Sequence, residues 1–117
     1  MALFRKKSAA SKADLDAQTL AQLVKAGAVL TNRRNIRHYL YAREEAAATS
    51  AVARLEAEGY RVDSRAAATG GTWLLLAERD EVVNAATVAS ARRLFETLAG
   101  SMNGGDYDGW EAAIVEK

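Results

Sequence analysis

Three side chains are the candidates for catalysis or metal binding: His38, Asp106 and Asp108. His38 is the only histidine and the chain has no cysteine, so the spacing of a typical metal site is absent. The two aspartates could hold an acid and a base or bind Ca²⁺, but the glycines around them favour a turn in which each carboxylate bonds its own backbone. With no nucleophile placed near a base and no phosphate-binding loop, we predict no catalytic residues, no metal, no cofactor and no enzyme activity.

A second group of residues suits binding rather than catalysis: Arg37, Tyr39, Tyr41 and Trp73. In a strand, successive side chains point to opposite faces, so Arg37, Tyr39 and Tyr41 would share the face opposite Ile36, His38 and Leu40. Two tyrosines beside an arginine suit stacking on bases or the rim of a protein interface. We expect Trp73 either to join this surface or, as tryptophans more often do, to pack in the core.

Composition limits the chain to a single domain without disulfides. It has 117 residues, of which 50% are hydrophobic, and no Cys, which suits one core in a reducing compartment. No apolar run is long enough to span a membrane, and Arg5, Lys6 and Lys7 are followed by small polar residues rather than an apolar signal region. We therefore expect a cytoplasmic protein that does not enter a membrane.

Charge is distributed unevenly along the chain. Residues 1–37 hold eight basic and two acidic residues and so carry a net charge of +6. Because the net charge of the whole chain is +1, the remaining residues carry −5. This asymmetry indicates either charge pairing within one fold or a basic arm offered to an acidic partner such as RNA. A solvated basic terminus with an otherwise ordinary surface is the simpler interpretation.

The N-terminal part divides into two segments. Residues 1–12 lack periodicity and are predicted to be a flexible basic terminus, followed by a single domain over residues 13–117. That domain begins with an amphipathic helix over 13–27, because apolar residues recur at helical spacing before Gly27. Its weak apolar face predicts that it docks on the domain or on a partner.

The remaining pattern predicts strand, helix, strand, strand, helix, strand. We expect strands over 36–42, 60–65 and 72–77, a hairpin around Gly70, and a helix over 44–58. Asp80 is predicted to cap the second helix of this series, and that helix is expected to end near Gly100. The glycine-rich turn around Asp106 and Asp108 then leads into a last strand over Trp110 to Val115. This order predicts an α+β, ferredoxin-like fold (βαββαβ) in which an antiparallel sheet carries two helices on one face, plus the N-terminal helix. The other face is left open.

The chain resembles the regulator of ribonuclease E activity B family of bacteria. The resemblance begins with Arg34 to Tyr41 (RNIRHYLY), continues at Glu58 to Val62 (EGYRV), and ends with a Tyr-Asp-Gly-Trp motif. The motif residues, expected to be mainly structural, are His38, Asp106, Tyr107, Asp108, Gly109 and Trp110. Well-studied members are strongly acidic, whereas this chain is near neutral and begins basic.

The resemblance implies a ferredoxin-like fold and a regulatory role without catalysis. Members of that family bind ribonuclease E and lower its cleavage of RNA, so the expected partner is a ribonuclease E-like endoribonuclease. Arg37, Tyr39, Tyr41 and Trp73 are the partner-binding candidates. The alternative is a single-stranded RNA-binding module that uses the same aromatic and basic face. A homodimer that covers this face is a further alternative.

Overall fold

A computed structural model describes residues 11–67 and 71–114. It contains three helices and one sheet of four strands. The helices are α1 (Lys12–Lys25), α2 (Glu45–Ala57) and α3 (Ala85–Ser101). The strands are β1 (Arg33–Ala42), β2 (Arg61–Ala66), β3 (Trp73–Val82) and β4 (Asp106–Ala112). The predicted hairpin residue Gly70 lies outside the described residues.

The sheet is antiparallel, with the strand order β2-β3-β1-β4. The two long strands β1 and β3 form its centre and pair along their full lengths, from Arg33 opposite Val82 to Ala42 opposite Trp73. The α+β class and the antiparallel sheet predicted from the sequence are confirmed. The predicted adjacency of the first and third strands is also observed.

Strict alternation along β1 separates the two faces of the sheet. Ile36, His38, Leu40 and Ala42 are buried, and the side chains between them are partly exposed. The buried side is covered by α2 and α3, whose apolar faces contribute Leu55 and other core residues. On α3 the buried positions recur at helical spacing and include Val88, Ala91, Phe95 and Leu98. The opposite side of β1 belongs to the open face of the sheet.

The third strand is longer than predicted, and the prediction that Asp80 caps the following helix is wrong. Asp80 and Glu81 lie within β3, and Asn84 caps α3 by accepting a hydrogen bond from the Thr87 amide at 3.0 Å. The reason is that β1 begins at Arg33, three residues before the predicted start. Its additional backbone groups pair with the end of β3, which keeps that charged segment extended.

The last strand also differs from its prediction. β4 contains the whole Tyr-Asp-Gly-Trp motif and ends at Ala112, whereas the sequence predicted a turn up to Gly109 and a strand from Trp110 to Val115. Gly109 adopts φ of +109°, and the pairing register with β1 shifts at this point, as in a β-bulge. The glycine thus lets the motif continue as a strand, and no described residue hydrogen-bonds to the carboxylates of Asp106 or Asp108. Val115 lies outside the described residues.

Helix α1 matches the predicted N-terminal helix. It is capped by Ser11, whose hydroxyl accepts a hydrogen bond from the Asp14 amide at 3.0 Å, while the Asp14 carboxylate accepts one from the Ser11 amide at 3.4 Å. Lys12 therefore belongs to the helix and Ser11 is its N-cap, whereas residues 1–10 of the predicted flexible segment lie outside the described residues. The helix packs against α3, as its weak apolar face predicted.

Candidate protein-interaction surface

The open face of the sheet carries a row of alternating charges across all four strands. In order from β2 to β4 this row is Arg61, Glu78, Arg37 and Glu111, which the strand register places side by side. Arg37 lies 3.8 Å from a carboxylate oxygen of each of its two neighbours, and Arg61 lies 3.7 Å from Glu78. The charges in this row therefore compensate one another.

A patch of tyrosine and leucine side chains lies next to this row. We call it the tyrosine patch; it consists of Tyr39 and Tyr41 on β1 and of Leu76 and Leu74, directly opposite them on β3. All four are partly exposed. Burial and the 2.8 Å hydrogen bond to Glu111 raise the pKa of Tyr39, so its hydroxyl stays protonated and donates to that carboxylate. The patch thus combines exposed apolar area with one fixed hydroxyl.

Trp73 does not belong to this surface. It lies opposite Ala42, which is fully buried, and packs against the core on the helix-covered side. The structure therefore brings Arg37, Tyr39 and Tyr41 together and places Trp73 on the other face. Its position at the end of β3 fixes this orientation, because Trp73 is an odd number of residues from Leu74 and Leu76.

His38 lies on the opposite side of β1, sealed within an aromatic cluster. Its ring stacks on Phe95 at a centroid distance of 4.3 Å and meets Tyr60 edge-on at 5.6 Å. Its Nδ1 shares a 2.7 Å hydrogen bond with the hydroxyl of Tyr107. Full burial, together with the positive charges of Arg79 and Arg92, lowers the pKa of His38 to about 3.

Two arginines close the ends of this cluster. The Arg79 guanidinium lies 4.1 Å from the Tyr60 ring centre, and that of Arg92 lies 5.0 Å from the Tyr107 ring centre. Burial raises the pKa of Tyr60 to about 12 and also raises that of Tyr107. The histidine and both tyrosines are thus neutral at pH 7, and their rings pack together as part of the buried core.

The motif residue Trp110 helps to fix α1 on the domain. Its indole Nε1 donates to the Asp16 carboxylate at 2.9 Å, and Arg92 donates two further hydrogen bonds to it at 2.7 and 2.8 Å. Burial alone would raise the pKa of Asp16, but the hydrogen bonds from Arg92 and Trp110 outweigh it and lower that pKa. One buried carboxylate therefore joins α1, α3 and β4.

The junction at Asp16 was not predicted from the sequence, although the sequence contains a signal for it. Asp16 lies on the apolar stripe of α1, four residues before Leu20 and next to Ala17. An acidic residue on the buried side of a helix requires a cationic or hydrogen-bonding partner. The partner of Asp16 is Arg92, 76 residues further along the chain, and no local sequence pattern indicates this pairing.

The three side chains named as candidates for catalysis or metal binding lie in different surroundings. No group of three or more His, Cys, Asp and Glu side chains within 11–67 and 71–114 is arranged to bind a metal ion. His38 is fully buried, whereas Asp106 and Asp108 are exposed on the edge strand β4. The three candidates named from their chemistry are therefore not assembled into a site.

Comparison with known protein families gives a match over nearly the whole chain. The model of the family described as "Regulator of ribonuclease activity B" matches residues 13–112. The chain belongs to the regulator of ribonuclease activity B family. The matched range runs from the start of α1 to the end of β4, so it includes the open face, the aromatic cluster and the Asp16 junction.

Membership of this regulator of ribonuclease activity B family agrees with the resemblance drawn from the sequence motifs. A comparison with curated proteins found no match. Within the part of the chain that the structure describes, none of the helices is both long and apolar enough to span a membrane. The family description identifies the protein as a regulator of ribonuclease activity.

Proposed function

We propose that this protein is a non-catalytic regulator that binds an endoribonuclease of the ribonuclease E type and lowers its cleavage of RNA. The observation that carries this proposal is the family match over residues 13–112. The sealed position of His38 supports a role without catalysis, because no substrate can reach its ring. The chemistry of RNA cleavage then belongs to the partner.

The tyrosine patch is the proposed contact for the ribonuclease. Tyrosine supplies a large contact area at a small entropic cost, and it is enriched among residues that dominate protein interfaces. Tyr39 and Tyr41 lie on the central strand β1, so the sheet holds them rigidly in place. The neighbouring charge row would form the polar rim of the interface.

The fold and cellular location belong to the same proposal. The element order after α1 and the strand order β2-β3-β1-β4 support a ferredoxin-like fold for the domain. A regulator of RNA cleavage must meet its partner where RNA is processed, and we place the protein in the cytoplasm. The absence of Cys is compatible with that reducing compartment.

The electrostatics of the open face do not favour direct RNA binding. Affinity for single-stranded RNA depends on uncompensated Lys and Arg side chains that contact phosphates. Here Arg37 lies between Glu78 and Glu111, and Arg65 forms an ion pair with Asp63. With Trp73 on the other face, the patch also has one fewer ring on which a base could stack.

The decisive experiment combines the purified protein with a purified ribonuclease E-type enzyme and a labelled RNA substrate. We expect the cleavage rate to fall as the protein is added, with a stable complex between the two proteins in the absence of RNA. The double variant Tyr39→Ala/Tyr41→Ala should inhibit at least about tenfold less well. Tyr39→Phe/Tyr41→Phe, which keeps both rings, should retain most of the inhibition.

Control variants and RNA alone complete the test. Ala53→Gln changes an exposed position on α2, away from the open face, and should inhibit like the wild type. An unchanged cleavage rate at saturating protein would overturn the proposal. Tight binding to RNA alone, lost in the Tyr39→Ala/Tyr41→Ala variant, would favour the RNA-binding alternative instead.

A further inference from the structure

Helices α1 and α3 run antiparallel on the helix-covered side of the sheet, with a groove between them. One end of the groove is closed by the hydrogen bonds from Arg92 to Asp16 and by the 2.7 Å ion pair from Lys12 to Glu96. At the other end, Leu23 packs in the same buried cluster as Val88. The groove between these two junctions has a volume of about 300 Å³.

The lining of this groove is aliphatic and shallow. It is formed by Ala13, Ala17 and Leu20 on α1 and by Ala85, Val88 and Ala89 on α3. The four alanines are exposed and are spaced four residues apart on each helix, so they form two facing stripes with low side chains. A surface of this shape accepts larger side chains that project from another helix.

One uncompensated charge lies at the rim. Arg93 lines the groove and is exposed, and it forms no ion pair with any residue in 11–67 or 71–114. The adjacent Arg92, by contrast, is paired with both Asp16 and Glu96. An occupant that places a carboxylate near Arg93 would complement the groove in charge as well as in polarity.

We propose that the groove between α1 and α3 binds an amphipathic helix of the same ribonuclease that contacts the tyrosine patch. The segment would insert aliphatic side chains at helical spacing between the alanine stripes and pair an Asp or Glu with Arg93. This inference rests on the proposed function, which supplies the partner. An aliphatic lining beside a single arginine side chain without an ion-pair partner among the described residues offers little to the phosphates of a nucleic acid.

The groove and the tyrosine patch lie on opposite sides of the sheet, so both can be occupied at once. Leu23 of α1 packs with Ile36 of β1, on the buried side of that strand, whereas Tyr39 lies on the open side. Two separate contacts with one partner chain raise the overall affinity, because the second contact forms within the complex. A flexible segment of the ribonuclease could thereby wrap around the protein.

The test uses overlapping synthetic peptides of about 20 residues, a length of about 30 Å as a helix, that span the whole sequence of the ribonuclease. The full-length protein, labelled with ¹⁵N, is titrated with each peptide. We expect one peptide to become helical and to shift the amide signals of Ala17 and Ala89. Ala17→Gln/Ala89→Gln, which fills the groove without adding charge, should weaken its binding at least about tenfold.

Two further variants sharpen the result. Arg93→Glu should weaken the same peptide at least about fivefold, and replacing the pairing acidic residue of the peptide by Lys should restore the affinity. Ala53→Gln on α2 is the matched control and should bind like the wild type, because Ala53 is equally exposed but distant from the groove. Circular dichroism checks that each variant is folded.

The outcomes separate this inference from the function on which it rests. If the intact ribonuclease binds the wild type and Ala17→Gln/Ala89→Gln equally well, and no peptide shifts the groove amides, the groove proposal is wrong and the regulatory function stands. A peptide that shifts only open-face amides overturns it in the same way. If the intact ribonuclease does not bind the wild type at all, both proposals fail.

Discussion

The two faces of β1 differ in what their side chains do, although they alternate along one strand. His38 on the covered face is fully buried between aromatic rings, whereas Arg37 and Tyr39 on the open face contact solvent and neighbouring charges. On the covered face, burial together with the nearby charges of Arg79 and Arg92 lowers the pKa of the histidine to about 3. The open face balances its charges across strands. Substitutions on the first face should therefore affect stability, and those on the second should affect binding.

The largest loss of stability should follow from truncating Phe95, the side chain at the centre of the covered face. Phe95 is fully buried and stacks on both His38 and Tyr107. Phe95→Ala should lower the free energy of unfolding by about 3–5 kcal/mol, because it leaves a cavity among rigid rings. Urea denaturation measures this change. Leu76→Ala on the open face should cost only about 1 kcal/mol, and equal losses would contradict the distinction between the faces.

The buried histidine makes stability depend on pH. In the unfolded chain His38 takes up a proton near its ordinary pKa of 6.5, but in the folded protein it does so only near pH 3. The free energy of unfolding should therefore fall as the pH decreases between these values, by about 1.4 kcal/mol per pH unit. Above about pH 7 the effect is absent. Denaturation at a series of pH values measures the slope.

The matched variant for this prediction is His38→Gln. Glutamine can accept a hydrogen bond from Tyr107 but does not titrate. The free energy of unfolding should therefore change with pH between pH 6 and 4 less steeply than in the wild type, by about 1.4 kcal/mol per pH unit. An unchanged slope in the variant would show that other groups cause the pH dependence. It would also contradict the neutral, sealed cluster described for the covered face.

A smaller loss is expected at the junction that attaches α1. Asp16→Asn keeps an acceptor for Trp110 but removes the charge that pairs with Arg92, at a cost of about 2 kcal/mol. Lys12→Ala breaks an exposed ion pair between the same helices and should cost less than about 1 kcal/mol. Because the folded pKa of Asp16 lies below its ordinary 3.8, its contribution is present above that pH and disappears as the pH falls through the folded value.

Thermal unfolding of both variants, followed with the fluorescence of the two tryptophans, Trp73 and Trp110, measures the difference. Equal stability of Asp16→Asn and the wild type at pH 7 would show that the apolar contacts of Leu23 alone hold the helix. The junction would then have no energetic role. The comparison with Lys12→Ala controls for the general loss of a charge at the α1–α3 contact.

The smallest effect on stability is expected on the open face itself. Tyr39→Ala/Tyr41→Ala removes two partly exposed rings and one hydrogen bond to Glu111, and should cost about 1 kcal/mol or less in the free energy of unfolding. Urea denaturation should show a cooperative transition close to that of the wild type. A loss as large as that of Phe95→Ala would mean that the open face also holds the fold together.

The sequence predicted the two faces of β1 because their alternation is local and strict. It also located α2 and α3 from apolar spacing and recognised the family from motifs at both ends of the chain. The extended β3 was missed, because Glu78 to Glu81 look like a helix start until β1 supplies their backbone partners. The strand within the Tyr-Asp-Gly-Trp motif was missed for a related reason. Only the pairing with β1 shows that Gly109 forms a bulge within a strand and not a turn before one.

The candidate surface was predicted in part. Arg37, Tyr39 and Tyr41 share a face as expected, but their charge environment depends on Glu78 and Glu111, which come from two other strands. Whether a patch is basic or neutral cannot be inferred from one strand alone. The groove between α1 and α3 likewise has no signature in either helix, because its shape arises from how the two pack.

The most direct test of the account asks whether Tyr41 touches the ribonuclease. A photoreactive phenylalanine derivative replaces Tyr41 in one sample and Ala53 on α2 in another, and each is irradiated with the purified ribonuclease E-type enzyme. We predict covalent crosslinks to the ribonuclease from position 41 and none from position 53. Crosslinks from position 53 with none from position 41 would contradict the account, because they would place the partner on α2 rather than on the open face.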